Sequence, residues 1–257
     1  MVKCKPRLTR SSRLGRLRTI PMTPVKVATF DCYGTLVDWE GGAAAFLYDL
    51  ARRQGEFDPG TGSQLREQWE AIQFELIQDE FRPYRDVLSE SLRTWHAQRG
   101  YRWNTKDGDA FERAMQSWQP FPDAIPALQR VQKAGVKLVI ISNTDRHIIE
   151  HTLHHLAPLA FDSVVVSEDL KTYKPDTTAF TRALQDIGAH PEEILHVAFG
   201  YKYDIGPAQE VGMRTAWVNR HSEPLPDAML RPDFEWRDLW GLAELAEGAR
   251  ISRAEGR

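Results

Sequence analysis

The feature that most constrains this chain is an alternation in its second half. Four apolar stretches, "VKLVIIS", "FDSVVVS", "EILHVAF" and "RTAWVN", recur between Val136 and Asn219. Each is followed or preceded by a segment with helical spacing: "ALQRVQKAG", the run from about Arg146 to Leu156, "DTTAFTRALQDIG" and "IGPAQEVG". Apolar runs without polar interruption suit strands covered on both faces, and helices between them supply the cover. A strand–helix alternation of this kind predicts a parallel, doubly wound α/β sheet. The closing "LRPDFEWRDLWGLAEL" reads as a last strand and a last helix.

A further strand belongs to this sheet but stands apart from it. "VKVATFD" is β-branched and apolar from Val25 and ends on Asp31. The block from about 40 to 118 then carries only helical patterns. "AAAFLYDLARR" is amphipathic; "SQLREQWEAIQFELI" sets Leu65, Trp69, Ile72 and Leu76 on one face; "YRDVLSESLRTWHAQRG" repeats the pattern and stops on Gly100. The expected organisation is a Rossmann-like core of residues 25–38 and 119–250, with a helical cap domain, 39–118, inserted after the first strand. A chain of 257 residues suits that arrangement.

Residues 1–24 differ from the rest. Lys3, Lys5, Arg7, Arg10, Arg13, Arg16 and Arg18 face no acid, and no apolar core of a secretory signal is present. A basic, disordered extension is expected, with Met22 opening the compact protein and an organellar transit peptide as the other reading. Two cysteines, Cys4 and Cys32, cannot build a disulfide framework, which points to a reducing, cytoplasmic setting. A net charge of −3 predicts no general attraction to nucleic acid or anionic lipid. No apolar run is long enough to span a bilayer.

Ligands of open α/β sheets sit at the carboxyl ends of the strands. The first strand there offers Asp31, Tyr33, Gly34 and Thr35. The second offers Ser142, Asn143 and Thr144. The third leads into "EDLKTYKPD" with Lys171 and Lys174, and the fourth into Gly200, Tyr201, Lys202, Tyr203 and Asp204. Polar strand ends are common because loops are wet. Complementary chemistry on four of them is not.

In order and placement these segments resemble the haloacid dehalogenase superfamily: D-x-x-G-T-L at the first strand, S-N at the second motif, K-P at the third, and an acid-bearing loop before an apolar helix at the fourth. The resemblance covers roughly Val25 to Leu245. It implies a nucleophilic aspartate, Asp31, that forms a covalent ester which water then cleaves. It further implies that Lys174 holds this carboxylate ionised, and that Thr35, Ser142 and Asn143 donate hydrogen bonds to nucleophile or substrate.

Phosphotransferase members of that superfamily carry Asp two residues after the nucleophile, as general acid. Here the position holds Tyr33. Their magnesium site also needs an acidic fourth motif, whereas "FGYKYDI" keeps only Asp204. A halide leaves without protonation, so the pattern resembles the metal-independent (S)-2-haloacid dehalogenases. That kinship implies hydrolysis of a short 2-haloacid to a 2-hydroxyacid with no cofactor and no metal, and raises a homodimer as an option. Asp204 matches the position that activates water. Arg66 is the candidate for the cap arginine that meets the halide, with Arg82 and Arg85 competing; Trp39, Tyr33 and Tyr201 are candidate walls of the pocket. The dehalogenases also carry Ser and Asn before the fourth-motif Asp, where this chain has Phe199 and Tyr201, and a Tyr where it has Phe180. A phosphatase of the same superfamily and a non-catalytic binding module remain the alternatives.

Three further features have plainer readings. Cys32 points away from the face used by Asp31 and reads as a buried, inert thiol. "HIIEH", His147 to His151, fits a zinc-protease pattern, but a solvated, partly cationic helix face is the default. Lys171 and Lys202 read as loop charges, Lys202 close enough to Asp204 to perturb it.

Overall fold

The computed structural model describes residues 24–225 and 231–255; the basic extension lies outside the described residues. Six strands form one parallel sheet: β1 (Val27–Phe30), β2 (Lys137–Ser142), β3 (Ser163–Val166), β4 (Ile194–Ala198), β5 (Arg214–Val218) and β6 (Phe234–Trp236). Their spatial order is β3-β2-β1-β4-β5-β6, so β1 lies between β2 and β4. Val27 is in register with Lys137 on one side and Ile194 on the other. The chain's winding reverses at β1/β4, which opens a crevice beyond the carboxyl ends of those two strands.

The helices are α1 (Trp39–Arg53), α2 (Gly62–Leu76), α3 (Tyr84–Arg99), α4 (Thr105–Ser117), α5 (Ala124–Lys133), α6 (Arg146–His155), α7 (Ser167–Leu170), α8 (Thr177–Ile187), α9 (Gly206–Glu210) and α10 (Trp240–Glu255). Strands β1, β2 and β4 are buried along nearly their whole length, which accounts for their uninterrupted apolar sequence. Helices α1 to α4 form the helical cap between β1 and α5. Their signals are local. Thr61 and Gln64 make a reciprocal capping box at the start of α2, and Gly100, with φ of 71°, ends α3 in the left-handed conformation that glycine tolerates best.

The cap's interior is aromatic. Trp69, Trp95 and Phe111 are buried, with Trp69 edge-on to Phe111 at 4.8 Å between ring centroids. The indole N–H of Trp69 donates to Ser91 Oγ. No helix among the described residues is long and apolar enough to cross a membrane.

Candidate active site

Four loops at the carboxyl edge of the sheet meet at one buried ammonium. Asp31 follows β1 directly and is 7% exposed, while Lys174 and Asp204 are 2% and 1% exposed. Lys174 Nζ donates to Asp31 Oδ1 at 3.0 Å, to Asp204 Oδ1 at 2.5 Å and to the carbonyl of Ile141 at 3.0 Å. An ammonium group has three N–H donors, so all of them are engaged. The second oxygen of Asp31 accepts from Thr35 Oγ1 at 3.0 Å, and Thr35 Oγ1 in turn accepts from the backbone N–H of Phe199.

The two carboxylates differ in their electrostatics. Burial pushes Asp31 up to about 6, against the opposing pull of Lys174, and the negative charge of Asp204 adds to the rise. For Asp204 burial also raises the pKa, but Lys174 together with a hydrogen bond from His196 outweighs it and the carboxyl is held below the usual range. Lys174 is held above its ordinary value: burial disfavours its charge, and the two aspartates more than offset that. Asp204 is thus the firmly ionised member, and Asp31 the one whose charge is at issue near neutrality.

The local backbone explains the convergence. Gly34 has φ of +102°, and the ring of Phe199 fills the space that a β-carbon there would need. The turn after β1 can therefore fold back only with glycine at this position. Asn143 positions the lysine loop: its Nδ2 donates to the carbonyl of Lys174 at 2.8 Å, and its Oδ1 accepts from the N–H of Lys174 at 2.8 Å and from Ser167 Oγ at 3.1 Å. Asp204 sits in a π-helical turn, Tyr201–Ile205, just after β4.

Above this cluster lies a pocket of about 620 Å³, part of it open to solvent. The core contributes Asp31, Tyr33, Ser142, Asn143, Lys174, Phe199, Tyr203 and Asp204 to its wall; the cap side contributes Trp39, Trp69, Glu70, Gln73, Tyr84, Leu88, Met115 and Trp118. Ser142 Oγ and Trp39 Nε1 are buried without a hydrogen-bond partner. Unpaired buried donors on the wall of a pocket are suited to a polar ligand group. The phenol of Tyr33 is bonded to Thr152 Oγ1 at 2.8 Å, and its ring stands edge-on to Trp118.

Of the residues singled out by sequence, the structure brings together Asp31, Tyr33, Thr35, Trp39, Ser142, Asn143, Lys174 and Asp204. It does not bring Arg66 or Tyr201 to the pocket wall. Arg66 pairs with Glu70 at 2.5 Å and Glu40 at 3.3 Å, and its guanidinium lies 5.4 Å from the ring centroid of Trp39. Glu40, Glu67 and Glu70 all lie within 3.5 Å of this guanidinium, so Arg66 stands beside the wall residues Glu70 and Trp39 without being one itself. Tyr201 packs edge-on against Trp217 at 5.3 Å. The rivals Arg82 and Arg85 are also absent from the wall; Arg82 pairs with Asp79, and Arg85 lies beside Asp86. Lys202 lies over the ring of Phe74, and the charge it feels is Glu70 rather than Asp204.

Two residues went unread in the sequence. His196, in mid-strand β4, is fully buried; it contacts Asp204 Oδ1 through Nε2 at 3.1 Å and Thr29 Oγ1 through Nδ1 at 2.9 Å. An imidazole inside "EILHVAF" was the available signal, because a buried polar group needs a partner. Glu70 had no such signal: beside Trp69 on an amphipathic helix, a charge reads as solvent-facing. Burial raises its pKa in spite of Arg66.

The remaining readings are local. Cys32 is fully buried, and burial pushes its thiol up, away from the reactive thiolate. His147 Nε2 contacts Glu112 of α4 at 2.9 Å and His155 Nε2 the carbonyl of Gln116 at 3.1 Å, so that part of the histidine-rich helix forms a seam with the cap. Phe180 packs edge-on against His196 at 5.1 Å.

Comparison with known proteins adds kinship to this geometry. The family model for haloacid dehalogenase-like hydrolases matches residues 25–212. An (S)-2-haloacid dehalogenase of Pseudomonas putida is 25% identical over 229 residues, covering 87% of this chain and 98% of its own. One from Burkholderia cepacia is 27% identical over 227 residues, covering 84% and 89%. Among solved structures, an L-2-haloacid dehalogenase from Xanthobacter autotrophicus, with chloropropionic acid covalently bound, superposes with a TM-score of 0.75 at 21% identity over 87% of this chain and 99% of its own. That last likeness is one of fold.

Proposed function

The chain belongs to the haloacid dehalogenase-like hydrolases, and from that premise we propose that it hydrolyses a short 2-haloacid to the 2-hydroxyacid through a covalent ester on Asp31. A carboxylate oxygen of Asp31 attacks C2 from the side opposite the halogen. The C–O bond forms as the carbon–halogen bond breaks, and the halide leaves with the bonding pair. Asp204 takes a proton from water as the hydroxide adds to Cγ of Asp31. The ester C–O bond then breaks, the leaving oxygen takes the proton back from Asp204 to give the hydroxyacid, and the Asp31 carboxyl releases its proton to solvent, which restores the carboxylate. Lys174 orients both aspartates and favours the ionised form of Asp204 throughout and of Asp31 before it attacks. Ser142 Oγ and Trp39 Nε1 offer neutral donors to the substrate.

The observation that carries this reading is one buried lysine bonded to both carboxylates on the pocket wall, with Asp204 held in its ionised form. A phosphatase reading has less support. Tyr33 stands where the general acid would be, with its phenol bonded to Thr152 and its pKa driven up by burial. Nor do the residues fit a magnesium ion well, since one oxygen of Asp204 already receives both Lys174 and His196.

A single turnover in ¹⁸O-water with enzyme in excess tests the mechanism. The label is expected in the Asp31 carboxylate; label in the product alone would sink the covalent route. Asp31→Asn should abolish halide release from 2-chloropropionate and leave the fold intact. Magnesium-dependent turnover of p-nitrophenyl phosphate, with no halide release, would move the assignment to phosphate esters.

A further inference from the structure

Resting on that reading, the structure assigns Glu70 as the residue that sets substrate charge: the pocket takes a 2-haloacid whose tail carries an ammonium or similar cationic donor, and rejects one whose tail carries a second anion.

Among the described residues of the wall, the ionisable side chains that carry charge are Asp31, Glu70, Asp204 and Lys174. Lys174 is the one cation, and its three donors are already bonded within the protein. It therefore has no N–H left for a second substrate anion. Arg66, which contacts the wall residues Glu70 and Trp39, is outside the wall and tied to Glu70 and Glu40. The wall itself carries three carboxylates and one ammonium, and beyond it the single guanidinium of Arg66 is shared among Glu40, Glu67 and Glu70, so the balance at this end of the pocket stays negative.

The rest of the wall has the matching chemistry. Trp39, Trp69, Tyr84, Trp118 and Tyr203 line the same pocket as Glu70, and the Tyr203 hydroxyl is hydrogen-bonded to Glu70. Aromatic faces attract cations, and indoles most strongly. A cationic tail beside Glu70 would meet both a carboxylate and ring faces, and would lower the cost of burying that carboxylate. An anionic tail would meet Glu70 with the guanidinium of Arg66 already engaged by three acids. The reacting end is a separate matter, because the carboxylate at C1 can be held by the unpaired neutral donors Ser142 Oγ and Trp39 Nε1.

Three short substrates with the same reacting centre test this: 3-amino-2-chloropropanoate, 2-chlorobutanoate and 2-chlorosuccinate, with enzyme-free halide release subtracted. The wild-type kcat/KM should fall in that order, by at least about tenfold from first to last, a factor equal to about 1.4 kcal/mol. Glu70→Gln should flatten the series, and recovery on chlorosuccinate is its sharpest sign. A flat or reversed wild-type series with clear halide release would overturn the assignment and leave the dehalogenase reading standing. Binding of the halogen-free analogues 3-aminopropanoate, butanoate and succinate, followed by quenching of the pocket tryptophans, covers the converse case. Preference for the amine without turnover of any chloroacid would keep the role of Glu70 and remove the dehalogenase reading. No preference and no turnover would refute both.

Discussion

At the scale of single residues, the site is governed by which carboxylate is charged and by what fixes the other. Asp31 must be ionised to attack, and its pKa is raised to about 6. The pre-steady-state burst of halide should therefore fall as pH drops through about 6, not through the usual carboxylate range near 4. A burst flat down to pH 5 would contradict that electrostatic picture. His196 acts one bond further back. Burial keeps the imidazole neutral. Asp204, ionised, can only accept, so Nε2 carries the proton and the Thr29 hydroxyl donates to Nδ1. Losing a hydrogen bond to a charged group costs about 1.5–3 kcal/mol, so His196→Phe should slow ester hydrolysis roughly tenfold to a hundredfold while the halide burst survives. The ester would then accumulate as a mass increase on the chain; equal loss of burst and turnover would show that His196 is merely structural. Asp31, Lys174 and Asp204 were legible in the sequence because strand-end position and residue type coincide. Arg66 stands off the pocket wall, paired with Glu70 one turn along its own helix and with Glu40 of α1. The i,i+4 spacing to Glu70 was legible in the sequence; the contact with Glu40, from another helix, was not.

At the scale of elements, the strands and the sheet's parallel sense were readable from uninterrupted apolar runs, and α1 to α3 from 3.6-residue periodicity. What sequence could not show is how the cap helices are fastened to the core. Helix α3 begins after Pro83, which provides no side-chain cap. Its first two N–H groups, at Tyr84 and Arg85, instead donate to the carboxylate of Asp145 at 2.8 and 2.9 Å. Asp145 belongs to the core, at the start of α6, and makes no capping bond to its own helix. The distance in sequence, about 60 residues, hides the cap from any local rule. A carboxylate at a helix N-terminus also meets the favourable end of the helix dipole. Asp145→Ala would leave two N–H groups unpaired at the seam, with an expected loss of about 1–3 kcal/mol in denaturant unfolding. Because Tyr84 and Leu88 on α3 line the pocket, KM should rise as well. Unchanged stability and KM together would show that water replaces the carboxylate at no cost.

At the scale of the whole molecule, the pocket exists only because chain segments remote in sequence are clamped beside β1, and one ion pair holds several of them. Asp123 lies where the chain returns from the cap to the core. Its carboxylate receives both terminal nitrogens of Arg220, at 3.0 and 3.1 Å, and the N–H of Leu239 at 2.8 Å. Arg220 follows β5, stacks 3.9 Å from the ring centroid of Phe121, and donates to the carbonyl of Thr35 in the turn that carries the nucleophile. The ion pair thus ties the return from the cap, the exit of β5, the entry to α10 and, through Arg220, the loop of Asp31. Both side chains are mostly buried, with 12% and 11% exposure. In that setting the attraction need not exceed the desolvation cost, but removing one partner strands the other charge, a loss of about 3–5 kcal/mol. Asp123→Asn keeps the volume and removes the charge. For a chain of this size it should lower the melting temperature by on the order of 10 °C. It should also weaken the halide burst, because Thr35 loses the anchor on its carbonyl and with it the fixed geometry of its bond to Asp31. A melting temperature within about 2 °C of wild type would show that Arg220 finds water or another acceptor, and that the four segments are held by packing alone.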